Sequence, residues 1–236
     1  MHLSFLSFVI ILKVYSGLSC EEKNLKINLD TEKVICYFIK KGNILPLIRQ
    51  KGLIADMKTL VIYTSQTGFT KRYAEWISEE LNADIYDLKD VKKKTNDFFE
   101  TYEAIIYAGW CMAGMVVKVK WFFEKAAYWK NKKLSIVAVG ASPNDNPEVD
   151  EFLNNLLTDE QRSLIKAFYC QGGINYDKMK FPSRTAMKMF ANSLKNNKNS
   201  SEDDRKKGEM ISKSYDISGK RFIAPVVDYV RGKDNE

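Results

Sequence analysis

The chain is poor in the side chains that most enzymes use for acid–base or nucleophilic work. Its 236 residues hold a single histidine, His2, near the N-terminus. That excludes a Ser/His/Asp or Cys/His pair in the body of the chain. The four cysteines, Cys20, Cys36, Cys111 and Cys170, stand far apart with no Cys-x-x-Cys, so neither a zinc site nor a disulfide framework is indicated, and reduced thiols in a cytoplasm fit best. There is no Gly-x-Gly-x-x-Gly and no Gly-Lys-Ser/Thr, which removes the dinucleotide fingerprint and the Walker loop. Acidic residues are outnumbered, giving a net charge of +7. No recognition motif or aromatic-interleaved basic patch accompanies that charge, so nucleic acid is not an expected partner. The apolar run Phe5–Leu12 is too short to span a bilayer.

What is present is one ordered pattern. Met57-Lys58-Thr59-Leu60-Val61-Ile62-Tyr63 is an apolar, β-branched run, and Thr64-Ser65-Gln66-Thr67-Gly68-Phe69-Thr70 follows it as a hydroxyl-rich turn around one glycine. A helical stripe of Ala74, Ile77 and Leu81 comes next. Strand, hydroxyl turn and helix together can hold a phosphate, because free N–H groups and the helix dipole at the helix start favour an anion. Ser65, Thr67 and Thr70 carry hydroxyls to donate, and Gly68 lets the backbone come close. The plainer alternative is a βα turn capped by Ser or Thr.

Further apolar runs predict strands at Asp84–Leu88, Ala104–Gly109, Leu134–Val139 and Ile165–Cys170. Helical spacing falls between them, at about Thr70–Leu81, around Val119, Phe122, Phe123 and Ala126, and from Pro147 through Val149, Phe152, Leu153, Leu156 and Leu157. The lysine-rich stretch Lys89–Thr95 reads as a solvated face. After the fifth strand comes an insertion, Asn175–Ile217, with a basic helical stretch from about Pro182 to Leu194 and a polar run from Lys195 to Lys207. A last helix carries Ile223, Val226, Val227 and Val230, with Pro225 starting or kinking it. Alternating strands and helices joined by short loops imply a doubly wound α/β domain.

Ser65-Gln66-Thr67-Gly68-Phe69-Thr70 resembles the Ser/Thr-x-Thr-Gly-x-Thr phosphate loop of flavodoxins, and the resemblance spans about Met57 to Gly232. It is closest to the branch containing menaquinone-dependent protoporphyrinogen oxidase, where extra residues also follow the last strand. The resemblance implies a three-layer, five-stranded parallel sheet of order 2-1-3-4-5 in residues 57–232, with FMN at the C-terminal ends of strands one and three. Three loops would hold the cofactor. Ser65, Gln66, Thr67, Gly68, Phe69 and Thr70 would take its phosphate. Gly109, Trp110, Cys111, Met112, Ala113 and Gly114 would flank its ring, with Trp110 stacking on one face or else lying as an ordinary half-buried tryptophan. Gly109 or Gly114 would let a peptide turn its carbonyl toward the flavin. Gly140, Ala141 and Ser142 resemble the third loop by position alone. Cys111 reads as a small buried residue rather than a reactive one, no catalytic side chain is assigned, and no metal ligand set is seen.

Two functions follow from that resemblance. One is an FMN-dependent oxidoreductase that removes hydrogen from a small reduced substrate such as protoporphyrinogen IX and passes electrons to a quinone. The other is a non-catalytic carrier between redox proteins. The basic balance and the insertion favour the enzyme, since carriers generally dock through acidic faces. Residues 178–195 set lysines and arginines around Phe181, Met187, Phe190, Ala191 and Leu194. Such a helix either packs on the domain with a wet basic face or lies peripherally on an anionic membrane. Residues 1–56 form an extension in which Phe5–Leu12 is signal-like and Glu21–Asp56 lacks clear periodicity; it reads as an upstream misreading, with Met57 the natural start of the domain and of translation, or else as a signal-like or disordered leader.

Overall fold

A computed structural model of the protein describes residues 57–233. The expectations about residues 1–56 lie outside the described residues. From Met57 the chain runs β1 (Thr59–Tyr63), α1 (Phe69–Leu81), β2 (Asp84–Asp87), the short helices α2 (Leu88–Val91) and α3 (Asn96–Glu100), and β3 (Ala104–Met112). It continues through β4 (Met115–Val116), α4 (Val119–Ala126), β5 (Lys133–Gly140), α5 (Pro147–Leu156), α6 (Asp159–Arg162) and β6 (Ile165–Gln171). The last part holds β7 (Gly173–Ile174), α7 (Phe181–Asn196), α8 (Glu202–Ile211), β8 (Tyr215–Asp216), a 3-10 turn (Lys220–Ile223) and α9 (Ala224–Val230).

The main sheet has the order β2-β1-β3-β5-β6, every neighbouring pair parallel, and is the flavodoxin-like architecture the sequence implied. Alternation along each central strand feeds two cores. Leu60, Ile62, Ile105, Tyr107, Leu134 and Ile136 face a layer built from α2 to α5, packing on Phe99, Phe122 and Val149. Val61, Ile106, Val137 and Val139 face α1 and α9, meeting Tyr73, Ile77, Val226 and Val230. Strands apolar on both faces stay dry only between two helical layers, which is why these runs pair in parallel. Fully burying each such side chain contributes about 1.5–3 kcal/mol.

The structure corrects three boundaries. Leu88 is not strand: the Asp87 carboxylate accepts from the Lys89 N–H and starts α2 instead. The third strand does not stop at Gly109 but continues to Met112, then folds back through Ala113 (φ 49°) and Gly114 (φ 73°) so that Met112 pairs with Met115. Two successive left-handed residues make the tight turn that suits a hairpin. The polar run is interrupted by α8, opened by a reciprocal capping box between Ser201 and Asp204. Pro225 stands in the first turn of α9, where its missing N–H costs nothing, so it starts the helix rather than kinking it.

The insertion is a helix pair closed by a two-stranded antiparallel sheet, β7 with β8. Met187, Ala191 and Leu194 of α7 pack with Ile174, Tyr176 and Ile211. Gly208 permits the approach, since a Cβ there would lie 2.9 Å from the Ala191 carbonyl oxygen and 3.0 Å from the Leu194 Cβ. Among the described residues no helix is long and apolar enough to cross a membrane.

Candidate functional site

The turn after β1 is held in an unusual state. Gly68 sits at φ 102°, a conformation that side chains resist, and precedes the first turn of α1. Its N–H donates to the Ser65 hydroxyl oxygen at 3.1 Å, which ties the loop to itself. The first helical bond runs from the Arg72 N–H to the Gly68 carbonyl at 3.0 Å, so the N–H groups of Phe69, Thr70 and Lys71 precede any intrahelical acceptor. Thr70 is 1% exposed, and among the described residues its hydroxyl has no hydrogen-bond partner. A buried hydroxyl left unpaired costs about 1–3 kcal/mol. Gln66 turns the other way, its Nε2 donating to the Ser183 hydroxyl of α7 at 3.2 Å.

This loop forms one end of a cleft of about 670 Å³. Gln66, Thr67, Phe69 and Thr70 line that end, Trp110, Cys111, Met112, Ala113 and Gly114 a second wall, and Gly140, Ala141 and Ser142 a third. Three segments far apart in sequence thus converge because β1, β3 and β5 are sheet neighbours ending on one side. Three expected residues do not line it. Ser65 braces the loop from within. Gly68 opens onto a neighbouring depression with Arg72, Lys178 and Asp216. Gly109 lies inside β3 opposite Ala138, where a Cβ would collide with Val116 Cγ1. A side chain at this position would push the returning strand of the hairpin away.

Trp110 is half-buried, opposite Val139, and its carbonyl accepts from the Val117 N–H at 3.0 Å. The hairpin therefore fixes the backbone on which the indole stands. Cys111 is half-buried as a residue, yet burial of the thiol pushes its pKa up to about 12, and that of Cys170 likewise. Burial thus favours the neutral thiol at both positions.

The third wall is held from behind by residues that sequence reasoning missed. The Tyr169 hydroxyl donates to the Ser142 carbonyl at 2.9 Å, and that of Tyr215 to the Ala141 carbonyl at 2.8 Å. Burial raises the pKa of both phenols, so both remain donors. Gln171 accepts from the Asn144 N–H at 2.8 Å and donates to the Ile217 carbonyl at 2.7 Å. The only signals for this in the sequence were the polar residues late in the fifth strand and the aromatic one late in the insertion.

A fourth wall was also missed. Ser183, Ala186, Met187 and Phe190 of α7, with Met179 before it, face the cleft. Positions 183, 186, 187 and 190 form one helical stripe, adjacent to the stripe that packs on α8. Among the lining residues Glu148 carries the one charge, and Lys207 Nζ neutralises it at 2.7 Å. The cleft is apolar along its sides and rich in donors at the Thr70 end.

A model of the flavodoxin domain matches residues 60–201. The chain belongs to that family. An uncharacterized protein of Methanocaldococcus jannaschii is 29% identical over 159 residues, covering 67% of this chain and 97% of that one. Among solved structures, one described as a flavodoxin from the domain Archaea is 14% identical, covers 74% of this chain and 99% of its own, and has a TM-score of 0.34. A flavodoxin, WrbA-like protein from Agrobacterium tumefaciens is 20% identical over 55% of this chain and 90% of its own, with a TM-score of 0.34. A flavoprotein from Lactobacillus acidophilus, solved in complex with FMN, is 15% identical over 49% and 92% of the two chains, with a TM-score of 0.31.

Proposed function

We propose that the protein is an FMN-dependent oxidoreductase whose insertion completes a slot for a flat, apolar reaction partner. The single observation that carries the cofactor is the Thr70 hydroxyl, buried and unpartnered in the first turn of α1. Beside it stand three helix-start N–H groups, and the first turn of α1 holds no acidic residue. That donor set suits a phosphate monoester, and FMN fits the cleft: about 670 Å³ lies within the range of about 300–1,000 Å³ common for such ligands. FMN, when bound, supplies the electron chemistry.

The chain does the rest. Thr67, Thr70 and the free N–H groups would bind the phosphate, while Trp110 and the Gly140–Ser142 backbone would confine the ring. Tyr169 and Tyr215 hold that backbone in place through their hydroxyls. Met179, Met187 and Phe190 cover the side left open by the three loops, exclude water there, and leave an apolar surface for a second planar molecule. A quinone acceptor and a reduced tetrapyrrole such as protoporphyrinogen are the partners this wall favours. A simple carrier has no use for such a wall.

Purified protein is assayed for quinone-dependent oxidation of protoporphyrinogen and, separately, for reduction by a flavodoxin reductase. Turnover that falls in Met187→Ala and Phe190→Ala, with FMN affinity intact, is the expected result. No turnover together with rapid reduction by the reductase would make the protein a carrier.

A further inference from the structure

The large apolar side chains that remain exposed are concentrated around the mouth of the cleft. On α7, Phe181 is 78% exposed, Met189 67% and Phe190 50%; on the β3–β4 hairpin, Met112 is 51% exposed and Met115 62%. The two groups belong to one region, because Met112 and Phe190 both line the cleft and Met115 pairs with Met112. Such a grouping on a folded domain marks a surface that meets something apolar.

The charges around it are mostly basic, and the one carboxylate lining the cleft, Glu148, is paired with Lys207. From Lys178 to Asn196 the chain carries Lys178, Lys180, Arg184, Lys188 and Lys195 and no carboxylate. Beyond the hairpin stand the exposed Lys118 and Lys120. Lys188 lies over the Tyr176 ring at 5.8 Å, and the Arg184 guanidinium donates to the Asp177 carbonyl at 3.1 Å. The others have no carboxylate partner among the described residues. On α7 the residues divide by direction: Met187, Ala191 and Leu194 pack on α8, and Ser183, Ala186 and Phe190 face the cleft. Phe181, Thr185, Lys188, Met189 and Asn192 are left facing outward.

We propose that this face docks on an anionic lipid surface. Phe181 and Met189 enter the boundary between headgroups and acyl chains, the lysines lie among lipid phosphates, and the cleft mouth opens onto the membrane. An amphipathic helix binds lipid through buried apolar area together with attraction to anionic headgroups, and α7 offers both with no acidic residue to repel them. The two apolar prongs stand on separate elements with lysines beside each, which suits a soft, uniformly charged surface. Phe181 and Met189 are separate from the flavin site, since neither lines the cleft.

The full-length chain is co-sedimented with vesicles of phosphatidylcholine alone and with vesicles of phosphatidylcholine and phosphatidylglycerol in equal parts. Flavin absorbance is read in the same samples. Binding is expected only to the anionic vesicles and is expected to weaken with salt. F181S combined with M189S lowers partitioning about tenfold, and Lys180→Glu and Lys188→Glu each lower it by about fivefold or more. Flavin uptake is unchanged in all of them. Failure of the wild type to sediment with anionic vesicles overturns the proposal, whether the face then proves to hold a second copy or an acidic protein. Equal binding by wild type and variants overturns it too, because contact would then lie elsewhere in the chain. Loss of flavin with vesicle binding retained would count against the cofactor and not against the docking face.

Discussion

Replacing Thr70 with valine separates the phosphate role of this hydroxyl from any structural one, because the two roles predict opposite signs. Valine keeps the shape and the β-branch and changes only a hydroxyl into a methyl. In the free protein that hydroxyl is 1% exposed and unpartnered. Removing it relieves a desolvation cost of about 1–3 kcal/mol. Even about 1 kcal/mol raises the melting temperature of a domain this size by about 2–4 °C. In the complex the same hydroxyl would donate to a doubly charged phosphate, and a hydrogen bond to a charged group contributes about 1.5–3 kcal/mol. The T70V protein is therefore expected to melt higher without ligand and to bind FMN about 10- to 100-fold more weakly. Riboflavin, which lacks the phosphate, supplies the control and should bind T70V as it binds the wild type. Calorimetric melting of the free protein and fluorescence titration with both flavins decide it. Unchanged FMN affinity, or an equal loss for both flavins, would refute the phosphate role. A lower melting temperature would show that the hydroxyl is satisfied within the protein.

Gly109→Ala drives a methyl into Val116 and should lower stability by about 1–3 kcal/mol in thermal melts, with Val116→Ala in the same chain restoring much of it. Ser183→Ala removes one neutral hydrogen bond between the phosphate loop and α7, worth about 0.5–1.5 kcal/mol. Limited proteolysis should then cut within residues 175–217 faster, and the melting temperature should fall by about 1–6 °C. Alkali should weaken the fold in a predictable window. The Cys111 and Cys170 thiols and the Tyr73 phenol are raised to about 12 by burial, so between their ordinary values and about 12 the folded state holds protons that the unfolded state has released. Stability is then complete below about pH 9 and falls as pH rises toward 12. The urea midpoint followed against pH checks this, and Cys170→Ala should flatten part of the slope.

How much of this could be read from the chain depends on how local each signal was. The central strands announced themselves because burial on both faces demands apolar runs, as in Leu60-Val61-Ile62 and Ile105-Ile106-Tyr107. Their order then brought Thr67 and Trp110 to one end of the sheet without any contact being known. The continuation of β3 through Trp110-Cys111-Met112 was hidden, since its stop is set by Ala113 and Gly114 turning left-handed rather than by composition. The helix Glu202–Ile211 was hidden for a different reason. It buries only Gly208 and Ile211, too few apolar positions to show a period, and Ser201 with Asp204 was the local clue. The rear supports of the cleft, Tyr169, Tyr215 and Gln171, were beyond reach because each acts through a carbonyl or N–H from 27 to 74 residues away. Composition records a polar tip on a buried strand but not the group it meets.

The most direct test of the central claim is a titration of the purified full-length protein with FMN, followed by flavin fluorescence and by visible absorption near about 370 and 450 nm. The expected result is saturable binding, or FMN already present and released on denaturation, with riboflavin bound more weakly. A colourless protein that takes up neither flavin would contradict the claim and reduce Ser65–Thr70 to an ordinary helix start.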